Sequence, residues 1–294
     1  MRIALVLLLV ATTGSAQTAP VKVFISADME GVVGTVTADQ LGPTGFEYQR
    51  YREFMTREVL AAIRGARAAG AGEIVVADAH GNGENLLIEL LPPGVTVVRS
   101  WPRPSGMMQG IDSTFAAALF IGYHAGTTNA RGVRAHTFSS ATLADVRLNG
   151  RSVPEGGVNA ALAGYYGVPV VMISGDDAAV DEVRGVVGPM EAAVVKWNIG
   201  FHSARTVTPD SSYRLIEAAA ARGVRRAREL RPFVVAGPVT LDLRWKNYRP
   251  AELLAYLPNI ERTDAHSVHF VGRDILEVMR FLQFVTSYAP NLEP

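Results

Sequence analysis

The chain contains no cysteine in 294 residues. That absence removes disulfides, thiolate metal sites and a cysteine nucleophile together. Any metal would have to be held by His, Asp and Glu. Charge of one sign is also missing, with 28 Lys+Arg against 28 Asp+Glu. A balanced chain has no bulk attraction to nucleic acid or to an anionic membrane. No Gly-rich phosphate loop or dinucleotide fingerprint follows a β-like run, because "GPTG" and "GNGEN" lack the spacing. There is no G-x-S-x-G elbow. The Arg-rich stretch at 222–231 lacks interleaved aromatics and reads as a solvated surface.

Long hydrophobic runs are scarce. The first twenty residues, "MRIALVLLLVATTGSAQTAP", hold an apolar segment from Ile3 to Ala11 behind Arg2. That segment is far shorter than the roughly 20 residues needed to span a bilayer. The small residues of "TGSA" suit cleavage after Ala16, so residues 1–16 read as a signal peptide. An uncleaved anchor is the alternative. The expected location is periplasmic or secreted, with no membrane-spanning segment in the mature chain.

What is present is a 48% hydrophobic chain, enough for a sizeable core. Four apolar runs, "VKVFISAD" (21–28), "GEIVVADAH" (72–80), "AALFIGYH" (117–124) and "VPVVMISGDD" (168–177), are continuous rather than alternating. Strands buried on both faces of a parallel sheet look like this. Helical periodicity covers 48–71, with Tyr51, Phe54, Met55, Val59 and Ile63 on one stripe. A second helix is expected over 154–167, between Pro154 and Gly167. Asn149-Gly150 between short β-like runs predicts a hairpin. Beyond residue 195 come a helix at 208–230, alternating strands at 238–245 and 266–274, and helices in "AELLAYL" and "ILEVMRFLQFVTSYA". The expected fold is α/β, a mostly parallel sheet flanked by helices over 21–195. A smaller α+β domain over 196–294 completes it.

Polar chemistry gathers just past the carboxyl ends of the expected strands. Asp28 and Glu30 follow the first, Asp78 and His80 the second, His124 the third, and Asp176 and Asp177 the fourth. Open parallel sheets bind ligands in that crevice. Two imidazoles and several carboxylates on one rim suit Zn²⁺ or a similar ion, and a carboxylate can bridge two metals. Bland readings compete. Asp78 suits a loop cap or a brace for His80, and one of Asp176 and Asp177 suits a helix N-cap. His136 is a possible general acid or base. Lys196 reads as a solvated lysine or a partner for a substrate carboxylate. His266 and His269 form a rival His-x-x-His pair, expected on one strand face.

The ordered motifs "SADMEG", "VADAHGNGENL", "MMQGID", "ALFIGYHAG", "VPEGGVNAALAGYYGVPVVMISGDD" and "AAVVKWN" run through the chain. Together they resemble the zinc D-aminopeptidases of the DppA type, peptidase family M55. The resemblance implies two zinc ions per subunit, bridged by Asp28 and held by Glu30, His80, His124 and Glu155. Glu155 enters only through this resemblance. It further implies His136 as the catalytic residue and a ring-shaped homo-oligomer, with the C-terminal domain serving assembly or a substrate channel. The expected function is an exported metalloaminopeptidase releasing N-terminal residues, D-Ala among them, from short peptides. An exported peptide-binding protein without turnover, or a metal amidohydrolase acting on a non-peptide amide, are the alternatives.

Overall fold

The computed structural model describes residues 21–288, so the expected leader lies outside the described residues. Its centre is a seven-stranded sheet in the order β3-β2-β1-β4-β7-β8-β9. These strands are β1 (Val21–Ala27), β2 (Ala71–Asp78), β3 (Val95–Val98), β4 (Ala117–Tyr123), β7 (Val170–Asp176), β8 (Glu191–Gly200) and β9 (Ser203–Thr206). All neighbours pair in parallel except β8 and β9. The continuous apolar runs have the expected cause, burial on both faces. Along β1, Val23, Ile25 and Ala27 pack with α1 (Tyr48–Ala68) and α4 (Pro209–Arg225), while Phe24 joins the core on the other face.

That other face is covered by α2 (Glu155–Tyr165), α6 (Ile275–Ser287) and a second, antiparallel sheet. Its order is β11-β12-β10-β5-β6: β11 (Ile260–Arg262), β12 (Ser267–Gly272), β10 (Val239–Trp245), β5 (Leu143–Leu148) and β6 (Arg151–Ser152). Val239, Leu241, Leu243 and Trp245 of β10 face inward, as alternation predicts for a half-buried strand. The Asn149-Gly150 turn joins β5 to β6 with both residues at positive φ, 49° and 75°, the backbone a two-residue hairpin needs. Helix α3 (Asp177–Val187) and the short α5 (Tyr248–Leu254) complete the elements.

The fold class expected from sequence is the one observed, but the layers do not part at residue 195. Strand β9 and helix α4, beyond that position, belong to the first sheet, while β5 and β6, before it, belong to the second. A hairpin inserted between β4 and α2 supplies strands to a sheet otherwise built later in the chain (β5's Leu148 pairs with Leu241 of β10, 93 residues on). Sequence separation hid that pairing. His266 and His269 also part company. Only His269 lies in β12, three positions on and so across the pleat, where it pairs with Asp242 at 2.6 Å.

Candidate metal centre

Strand order reverses around β1: the chain moves outward through β2 and β3, then returns on the other side as β4. The crevice at such a reversal, beyond the carboxyl ends, is where open α/β sheets place ligands. Asp28 leaves β1 there and His124 leaves β4. Two glycines let the backbones meet. A Cβ on Gly31 would collide with the Tyr123 carbonyl, and one on Gly122 with the Asp28 carbonyl. Gly122 has φ of 71°, and the register of β4 against β7 slips between Phe120 and Tyr123. The slip puts Tyr123 on the same face as Phe120, their rings stacked 4.4 Å apart. It re-aims the following His124, as bulges at strand ends do.

The loop after β1 is held from behind. Lys196 of β8 is fully buried and donates to the carbonyls of Glu30, of Val32 at 3.2 Å and of Thr35 at 2.7 Å. Burial lowers its pKa to about 8, against the pull of Asp176, Glu58 and Glu30. Neither reading from sequence holds: Lys196 is not solvated, and all three of its donors are used on this loop. Glu58 of α1 accepts from the Val33 amide at 3.0 Å on the same loop.

Five buried side chains converge. His80 Nδ1 lies 3.2 Å from Asp28 Oδ1 and 2.9 Å from Glu30 Oε2. His124 Nε2 lies 3.3 Å from Asp28 Oδ2 and 3.5 Å from Glu155 Oε2. The two oxygens of Asp28 therefore face two different histidines. His136 stacks on His124 with ring centroids 4.1 Å apart, its Nε2 3.8 Å from both Glu30 and Glu155. Each imidazole is fixed through its outer nitrogen, which donates to a backbone carbonyl. His80 Nε2 reaches Leu41 at 2.7 Å, His124 Nδ1 reaches Ala125 at 3.0 Å, and His136 Nδ1 reaches Arg134 at 2.8 Å. In that tautomer the inner nitrogen is free to ligate or to carry a labile proton.

Charge in the cluster is poised for a cation. Burial pushes the Asp28 carboxyl up, helped by neighbouring Glu30. Burial would raise Glu30 too, but His80, His136 and His124 outweigh it and hold Glu30 well below the usual range. Burial disfavours the charged forms of His80 and His124, yet the carboxylates raise both well above the ordinary imidazole value. Two buried atoms, Asp28 Oδ2 and His124 Nε2, make no hydrogen bond, and Glu30 Oε2 has only the His80 ring, at 2.9 Å, beside it. Orphaned buried donors and acceptors are costly unless something satisfies them. The side chains sort into two groups with ligand atoms within 4.8 Å, Asp28 with Glu30 and His80, and His124 with His136 and Glu155. Nitrogen and carboxylate oxygen in this number fit a zinc-like divalent ion.

Other candidates sit apart. Asp78 caps the 79–86 loop, accepting from the Asn85 amide at 2.6 Å and the Leu86 amide at 2.7 Å. Asp176 is the N-cap of α3, accepting from Ala179 at 2.8 Å, and it accepts from Val133 at 2.6 Å in the loop that carries His136. Asp177 accepts from the Asn198 amide at 3.2 Å. Strand ends alone could not find Glu155, which opens α2 rather than closing a strand. A signal existed: Glu155 is the sole charged residue of an otherwise buried, apolar helix. Its carboxylate is oriented by the Phe138 amide at 2.5 Å.

A family model described as Peptidase_M55, D-aminopeptidase, matches residues 21–284. The chain belongs to the M55 peptidase family. Among its relatives is a D-aminopeptidase of Bacillus subtilis (strain 168), 32% identical over 272 residues, covering 91% of this chain and 97% of the relative. The solved structure of the Zn-dependent D-aminopeptidase DppA from Bacillus subtilis, described as a self-compartmentalizing protease, superposes with a TM-score of 0.85. That match has 32% identity and covers 91% of this chain and all of the other. The resemblance drawn from the motifs is thereby shown, and with it the peptidase class of this M55 member.

Proposed function

We propose that this M55 peptidase is an exported dinuclear zinc aminopeptidase that releases the N-terminal residue, D-Ala foremost, from short peptides and works as a ring of subunits. The observation that carries the reading is Asp28, whose two carboxylate oxygens face the two halves of one buried cluster. Asp28 would join two ions, with Glu30 and His80 on one and His124 and Glu155 on the other. Bound zinc supplies Lewis acidity and a water made nucleophilic near neutral pH.

The chain's own residues account for the rest. No Lys or Arg lines the cavity, so nothing in its wall repels the free amine of a peptide N-terminus. His136 is the most exposed of the three histidines, its side chain 13% accessible, and its Nε2 faces the gap between Glu30 and Glu155. With Nδ1 tied to Arg134, Nε2 is the atom that gives a proton to the leaving amine or a hydrogen bond to the tetrahedral oxyanion. The cavity has a volume of about 480 Å³, room for a short peptide. Gln283, Thr286 and Ser287 of α6 line it, which supports a channel role for the C-terminal region. Export rests on the composition of residues 1–16.

A panel of D- and L-peptides, assayed on protein of known metal content and native mass, tests the whole reading. Expected are two zinc ions per chain, a closed oligomer, release of N-terminal D-Ala, loss of activity with chelator and recovery with zinc. Zinc-loaded protein that cleaves nothing across the panel would sink it. For export, fractionation of producing cells should place the chain outside the cytoplasm, shortened at Ala16.

A further inference from the structure

The cluster cavity has no Lys or Arg in its lining. A second cavity of about 470 Å³ adjoins it, and His136 and Ser140 line both. Its walls mix apolar side chains, Ala130, Ala135, Leu143 and Phe201, with Thr127 and Asn129, and Lys246 is the one Lys or Arg in the lining. Lys246 follows β10, is anchored by its amide to the Thr142 carbonyl at 2.8 Å, and donates through Nζ to the Ser140 carbonyl. It forms no ion pair among the described residues. An ammonium carries three donors, so two remain after Ser140.

Resting on the aminopeptidase reading, we propose that this second cavity receives the leaving part of the peptide and that Lys246 recognises its free α-carboxylate. The two cavities then match a peptide end for end, the cluster cavity toward its free amine and Lys246 toward its carboxylate. Apolar side chains with a few placed polar groups and one charge are the usual make-up of a small-ligand pocket. Ser140 lies four residues beyond His136, a span of at most roughly 14 Å for extended chain. That reach suits substrates of two to about four residues carrying a free C-terminus.

The test compares D-alanyl-D-alanine with its C-terminal amide, on wild type, Lys246→Met and Lys246→Arg. Lys246 is exposed, so both variants should fold. The expected result is a KM for the free acid raised about tenfold in Lys246→Met with kcat retained, the pattern of lost uniform binding. The amide should be unaffected, and Lys246→Arg should stay near wild type. No change for the free acid, or an equal change for both peptides, overturns the subsite. If wild type cleaves neither peptide, its preference for N-terminal D-Ala fails, and calorimetric titration still decides the subsite. Wild type should then bind the acid more tightly than the amide, and Lys246→Met should bind them alike; equal binding by wild type overturns it.

Discussion

Around His136, a stacked His124 ring, a backbone acceptor and two carboxylates converge, yet its side chain keeps the most solvent contact of the three histidines. The reading as a proton carrier rather than a ligand makes a separable prediction. His136→Ala should lower kcat by about 10²–10⁴, the usual worth of a general acid, while zinc content stays at the wild-type level. A variant that loses metal along with activity would instead make His136 a ligand in the group with His124 and Glu155. Residue identity alone could not separate these roles, because the same imidazole serves both. Lys196 is a sharper case. No periodicity in "AVVKWN" marks an ammonium with three backbone carbonyls for partners, since those carbonyls lie more than 160 positions earlier.

Among the elements, the approach of β1 to β4 decides whether Asp28 and His124 meet. Asp28 and Gly31 donate their amides to the carbonyls of Ile121 and Gly122, at 2.8 and 2.7 Å. Gly31→Ala would drive a methyl group into the Tyr123 carbonyl, and backbone cannot step aside as a flexible side chain can. The expected outcome is a loss of about 2–4 kcal/mol in stability, as for overpacked or strained sites, together with weaker zinc retention. Thermal unfolding and metal analysis check it; a variant with unchanged melting and full zinc would show that the two strand ends can separate without harm. The strands β1, β2, β4 and β7 were legible because burial on both faces writes continuous apolar runs. The bulge at Gly122 was not, because it depends on what β7 and the Asp28 carbonyl do beside it.

Across the whole molecule, Glu58 ties three parts together. It stands on α1, accepts from Val33 in the loop after β1, and accepts from Ser212 of α4 at 2.6 Å. Burial raises its pKa to about 7 from an ordinary 4.5, with hydrogen bonds from Ser212 and Val33 only partly opposing. A carboxyl whose folded pKa is raised binds its proton more tightly in the native state. Its stabilising contribution is therefore complete below the unfolded value and disappears as pH rises through the folded one. Between about pH 4.5 and 7 the wild type should lose on the order of 3 kcal/mol relative to Glu58→Gln. Denaturant unfolding of both proteins at pH 5 and pH 8, under one metal condition, reads the difference. A gap that does not change with pH would mean that Glu58 titrates normally.

By itself, the sequence determined the α/β class, the strand ends that carry Asp28, Glu30, His80 and His124, and the exclusion of thiolate chemistry. Those follow from local causes: hydrophobic period, turn residues and the absence of cysteine. Its ordered motifs added Glu155 and the family. Only the tertiary structure decided that β5 and β6 join a sheet with β10, and that Asp28 faces both histidines. It alone put Lys196 beneath the loop after β1 and Lys246 beside Ser140. Each of these is a contact between segments far apart in the chain. Such contacts are fixed by packing two faces of one sheet at once, which no local window of sequence records.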